Sequence, residues 1–136
     1  MAHSLTREIA MKMLYAASLG GQESMKDILE QSEQADTLSG KEKTFLENLV
    51  AGVRDHQQEL DEIIGQYAQG WALNRLAKVD LTILRMAVYE IRYMPEVPVG
   101  ATINEAVELS KQFCEDKSAG FINGILGSVA RAQTDQ

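Results

Sequence analysis

The stretch from Leu81 to about Met94 constrains this chain more than any other, because as a helix it is apolar on nearly every face. Leu81, Ile83, Leu84, Met86, Ala87, Val88, Tyr89 and Ile91 fill it, and only Arg85, Glu90 and Arg92 interrupt. A helix hydrophobic all round must be covered on all sides, by protein or by lipid. No apolar run reaches the ~18 residues that suggest a bilayer span, so this helix belongs in the middle of a soluble fold. Met1-Ala2-His3-Ser4 lacks the basic-then-hydrophobic pattern of an export signal, and the expected compartment is the cytosol.

The remaining segments read as helices able to surround it. From about Thr6 to Leu19, Ile9, Met13, Ala16 and Ala17 form one stripe, and Gly20-Gly21 supplies the stop. Ser24 can cap a short acidic helix to about Asp36, with Met25, Ile28 and Leu29 as its apolar contacts. Ser39 and Glu42 have capping-box spacing and open a helix with Leu46, Leu49, Val50 and Val53 inward. Asp55 to Tyr67 continues with Leu60, Ile63, Ile64 and Tyr67, and Gly65 to Gly70 is the softest interior joint. Asp80 is a candidate N-cap for the central helix, which Pro95 and Pro98 end. Thr102 and Glu105 have capping-box spacing in the next helix, with Ile103, Ala106, Val107 and Phe113 at core period. Ser118 starts a last helix carrying Phe121, Ile122, Ile125, Leu126 and Val129. The expected fold is all-α, with about seven helices and no strand.

Composition narrows the chemistry. The 136 residues suit one domain, 1–136, with halves near 1–69 and 70–136 and a frayed tail at 132–136. Net charge is −7, and residues 1–68 hold 12 acidic against 6 basic side chains. Such acidity excludes a general polyanion binder, since sequence-independent affinity for nucleic acid comes mainly from Lys and Arg on phosphates. Cys114 alone excludes a disulfide framework, and two histidines are too few for a Cys/His zinc cluster. Nothing calls for a metal or another cofactor. His3 reads as mobile and His56 as solvated; Asp61-Glu62 and Glu115-Asp116 read as solvated faces. Cys114, near a helix end where the dipole disfavours a thiolate, reads as a core or boundary thiol. Arg85 needs a carboxylate such as Glu105 or Glu90, and Asn104-Glu105 admits a cap with a hydrogen bond or a ligand contact. No catalytic constellation stands out, so an enzyme is not expected.

One family matches these segments in order and spacing. The run Leu73-Asn74-Arg75-Leu76-Ala77-Lys78-Val79-Asp80 through Tyr89-Glu90 resembles the NusB transcription antitermination factors. So do Val97-Pro98-Val99, Ile103 to Leu109, and Ser118 with Phe121-Ile122-Asn123-Gly124-Ile125-Leu126. Arg7-Glu8, Leu14-Tyr15 and Leu49-Val50-Ala51-Gly52-Val53 extend the match more weakly into the first half. The resemblance implies two three-helix sub-bundles sharing a core. It implies an assembly factor that binds boxA RNA together with NusE, which doubles as a small-subunit ribosomal protein. That pair helps RNA polymerase's antitermination complex read through terminators, notably in ribosomal RNA operons.

Carried over residue by residue, the resemblance implies RNA contacts at Arg7, Lys12, Tyr15, Asp80, Lys117 and Phe121. It implies NusE contacts at Tyr67, Trp71, Arg75, Leu76 and Asp80. The family's N-terminal segment is usually rich in arginine, whereas His3 to Arg7 keeps only Arg7. Lys117 stands where the family often has an acid, and a lysine there would attract phosphate and partly compensate. Tyr15, Phe121, Trp71 and Leu76 suit a core position as well as a contact. The depleted N-terminus leaves open a protein–protein interaction module with little RNA affinity of its own, and the sequence fits a monomer or a homodimer that hides its RNA face.

Overall fold

The computed structural model describes residues 3–20, 27–30, 36–68 and 73–134. Six long helices run in chain order: α1 (Ser4–Gly20), α2 (Gly40–Asp55), α3 (Gln57–Tyr67), α4 (Lys78–Tyr93), α5 (Val99–Phe113) and α6 (Ser118–Thr134). A 3-10 turn at Leu73–Arg75 precedes α4, and residues 27–30 are also helical. No strand occurs among the described residues, in agreement with the all-α expectation. Ser24, Trp71 and part of the Gly65–Gly70 joint lie outside the described residues. No described helix is long and apolar enough to cross a membrane.

Helix α4 is the axis, packing against α1, α2, α3, α5 and α6. Its residues Ile83, Leu84, Met86, Ala87, Val88 and Ile91 are all buried, as a helix apolar all round requires. Around it, Ile9 and Met13 of α1, Leu46, Leu49, Val50 and Val53 of α2, and Leu60 and Ile64 of α3 close one continuous core. Ile122, Ile125, Leu126 and Val129 of α6 complete it from the other side. Phe113, expected inside, is 39% exposed at the end of α5.

Helix starts follow local chemistry where no distant partner competes. Ser39 caps α2 in a complete capping box: its hydroxyl accepts from Glu42 N–H while Glu42 accepts from Ser39 N–H. Those bonds, the backbone one foremost, hold the Glu42 carboxyl below its ordinary pKa. The other two expected caps do not form. Helix α4 begins at Lys78 with Asp80 inside its first turn, accepting from Ser118 Oγ at 2.8 Å. Helix α5 begins at Val99 behind Pro98, and Thr102 gives its hydroxyl to Glu90 at 3.0 Å. Glu105 accepts instead from Ser4 at 2.9 Å, joining α5 to α1.

Two charged contacts also differ from expectation. Arg85 binds neither Glu90 nor Glu105 but Asp61 of α3, through Nε at 2.7 Å and Nη2 at 2.9 Å. Glu90 instead receives Arg7, with both side chains 2% exposed. The tail expected to fray from residue 132 stays helical to Thr134, and Gln133 donates to the Ile91 carbonyl at 2.8 Å. The histidines are held too. His3 stacks on Phe45 at 4.3 Å, and His56 Nδ1 lies 2.9 Å from the Gly52 carbonyl.

Candidate functional site

The first turn of α4, the end of α5 and the start of α6 meet at one end of the bundle. They enclose an open groove of about 350 Å³. The loop before α4 supplies Arg75 and Leu76, α4 supplies Val79 and Asp80, and the α5–α6 corner supplies Cys114, Lys117, Ser118 and Phe121. Residues nearly fifty positions apart in sequence thus share one surface, and the corner fixes their spacing. Ser118 opens α6 and bonds Asp80, so the starts of α4 and α6 are tied at the groove floor.

Charge in the groove is mixed and local. Asp80 is half-buried and Lys117 is exposed, with its Nζ 4.0 Å from Glu115. Such a surface pair contributes little and leaves the ammonium available to an anion. The Cys114 thiol is half-buried, and its pKa is pushed up to about 12. Burial is the main cause, followed by its hydrogen bond to Asp80 and that carboxylate's charge. A neutral thiol held this way is a poor nucleophile, so Cys114 gives the groove no reactive group. Phe121 is half-buried, packs against the core and also lines the groove.

Three of the six residues expected at RNA line this groove: Asp80, Lys117 and Phe121. Lys12 reaches its rim from α1, with Nζ 5.6 Å above the ring of Phe113 and 3.0 Å from Glu8. Tyr15, one turn further along α1, is half-buried and does not line the groove. Arg7 requires a correction. Its guanidinium is inside the fold, bound to Glu90 through Nη2 at 2.6 Å and Nε at 2.9 Å, and lies 5.3 Å over the Phe45 ring. A buried arginine in such a pair cannot reach a phosphate without breaking it, so Arg7 positions α1 against α4.

Of the residues expected at the protein partner, Arg75, Leu76 and Asp80 line the same groove. Tyr67 packs on the core at the end of α3, away from the groove lining, and Trp71 lies outside the described residues. Two contributors were read from the sequence only as a core position and a helix start. Phe113 carries Lys12, and Ser118 fixes Asp80. Ser118 stood in a recognised motif, but its bond to Asp80 spans 38 positions and leaves no local signal.

Comparison with known proteins adds an independent line. The family model described as the NusB family matches residues 4–131. Transcription antitermination protein NusB of Acetivibrio thermocellus is 39% identical over 133 residues, covering 98% of this chain and 91% of that protein. Its counterpart in Elusimicrobium minutum is 44% identical over 129 residues, covering 93% and 91%. Among solved structures, T. maritima NusB superposes with a TM-score of 0.84 at 31% identity, covering 95% of this chain and 90% of that one. A structure of antitermination factors NusB and NusE in complex with dsRNA superposes with a TM-score of 0.83 at 25% identity, covering 96% and 97%.

Proposed function

The chain belongs to the NusB family, and we propose that it acts as a transcription antitermination factor, binding boxA RNA together with NusE so that RNA polymerase reads through terminators, above all in ribosomal RNA operons. It works in the cytoplasm as an assembly factor and catalyses no reaction. One observation carries this reading: the groove gathers Asp80, Lys117 and Phe121 beside Arg75 and Leu76, so one surface can meet RNA and a protein partner together. Phe121 offers a ring on which a base can stack, worth ~1–3 kcal/mol. Lys117 in the groove and Lys12 over the Phe113 ring offer exposed cations. With so few cations in the groove, the affinity belongs to the pair with NusE more than to this chain alone.

A second reading is favoured by the burial of Arg7. Without that arginine the N-terminal segment brings no exposed guanidinium to RNA, as in a module that binds NusE and contributes little RNA affinity. Lys117→Asp separates the two. The side chain is 81% exposed, so the fold is indifferent to the change. On the RNA reading, boxA affinity measured by fluorescence anisotropy in the presence of NusE falls, and its salt dependence flattens. Unchanged affinity and slope would place RNA elsewhere and favour the interaction module.

A further inference from the structure

The first turn of α4 has a second concave side. Ala77, Val79 and Asp80 face the groove, while Lys78, Leu81 and Thr82 face a separate cavity of about 320 Å³. Leu14 of α1 and Val53 of α2 give it an apolar lining. Three cations line it from two helices: Arg54 in the last turn of α2, Lys78 in the first turn of α4, and Arg85 two turns further on. No aspartate or glutamate is among its described lining residues. In a chain with 20 acidic and 13 basic residues, that is the reverse of the average surface.

The cations are organised as well as clustered. Asp61 grips Arg85 through Nε and Nη2 from outside the cavity lining, which fixes the guanidinium without placing a carboxylate in the lining. The Thr82 hydroxyl is committed to the Lys78 carbonyl at 2.7 Å, so it does not compete as a ligand. Gln57, at the start of α3, adds a neutral polar group. Arg54 and Lys78 are both exposed, so a ligand reaches them without opening the core. A concavity lined by Arg54 and Lys78, with Arg85 already paired to Asp61 and no carboxylate in the lining itself, suits a phosphate group.

We infer that this cavity is a phosphate-binding subsite, and that it takes a backbone phosphate of an RNA strand crossing the start of α4 from the groove. The inference rests on the RNA reading above and deepens it. The two concavities lie on opposite sides of the same first turn of α4, so one short strand can run from one to the other. The cavity supplies cationic groups that the buried Arg7 withholds from the N-terminal segment.

The test is a boxA RNA titration at several salt concentrations, with NusE present, on the full chain and on a variant carrying Arg54→Ala and Lys78→Ala. Lys43→Ala, exposed in the first turn of α2 at the far end from Arg54, is the control. The double variant should show a salt exponent smaller by about 0.7, because one fewer phosphate of a single strand is neutralised, with the control unchanged. A wild-type slope in the double variant would overturn the subsite while leaving the RNA reading intact. No boxA binding by the wild type with NusE would remove that reading and this inference together. Inorganic phosphate distinguishes the other source. If it raised the melting temperature of the wild type only, with the RNA slope unmoved, the cavity would bind a free anion and its assignment to RNA would be wrong.

Discussion

Arg7 and Glu90 lie 83 positions apart and meet inside the fold, where a charge without its partner is costly. Thr102 completes the pair, so α1, α4 and α5 converge on one carboxylate. Glu90→Ala should destabilise the protein by about 3–5 kcal/mol in urea unfolding, because Arg7 would remain buried and unpaired. Arg7→Met combined with Glu90→Leu should lose much less; equal losses would mean that the pair's charge is not what matters. Cys114 gives a second prediction at this scale. Its pKa of about 12 against an ordinary 9.0 means that the folded thiol stays neutral where the unfolded one ionises. Stability linked to Cys114 is therefore complete below about pH 9 and declines as pH rises from there towards 12. At pH 8, iodoacetamide should modify the native thiol much more slowly than the urea-unfolded one. Equal rates would show that neither burial nor Asp80 suppresses the thiolate. The sequence revealed that Arg85 needed an acid but not which one, since side chains meeting across helices leave no local pattern.

At the scale of helices, the sequence was informative where the deciding interaction was local. Ser39 and Glu42 sit three residues apart and satisfy each other, and the capping box read from that spacing is the one observed. Asp80 and Thr102 had equally good local credentials, but Ser118 and Glu90 engage them from other helices, and their own helices start earlier. The crossing of α2 and α4 depends on a residue that carries no side chain. A Cβ on Gly52 would lie 2.0 Å from Tyr89 Cζ. The ring has little freedom to move, as it stacks on Tyr93 at 5.1 Å and neighbours His56 at 5.7 Å. Gly52→Ala should therefore cost roughly 1–3 kcal/mol by overpacking, read as a lower urea midpoint. Adding Tyr89→Ala should recover part of that loss. If it recovers none, the close approach of ring to backbone is not the cause.

For the whole molecule, one helix that is apolar on every face settled the architecture. The other helices had to surround Leu81–Met94, and in the structure they do, around a single core. The groove was legible only through family resemblance, because its residues come from three segments that folding alone brings together. Arg7 shows the limit of that resemblance: its place in the N-terminal segment suggested a phosphate contact, while its burial against Glu90 makes it a support for α1. An acidic protein with only a few of its cations lining two small concavities should bind RNA weakly alone and well beside a partner. The most direct test is therefore a boxA RNA titration at two salt concentrations, with and without purified NusE. The account predicts tight, salt-dependent binding only when NusE is present. NusE binding with no gain in boxA affinity would contradict it and leave a protein–protein interaction module in its place.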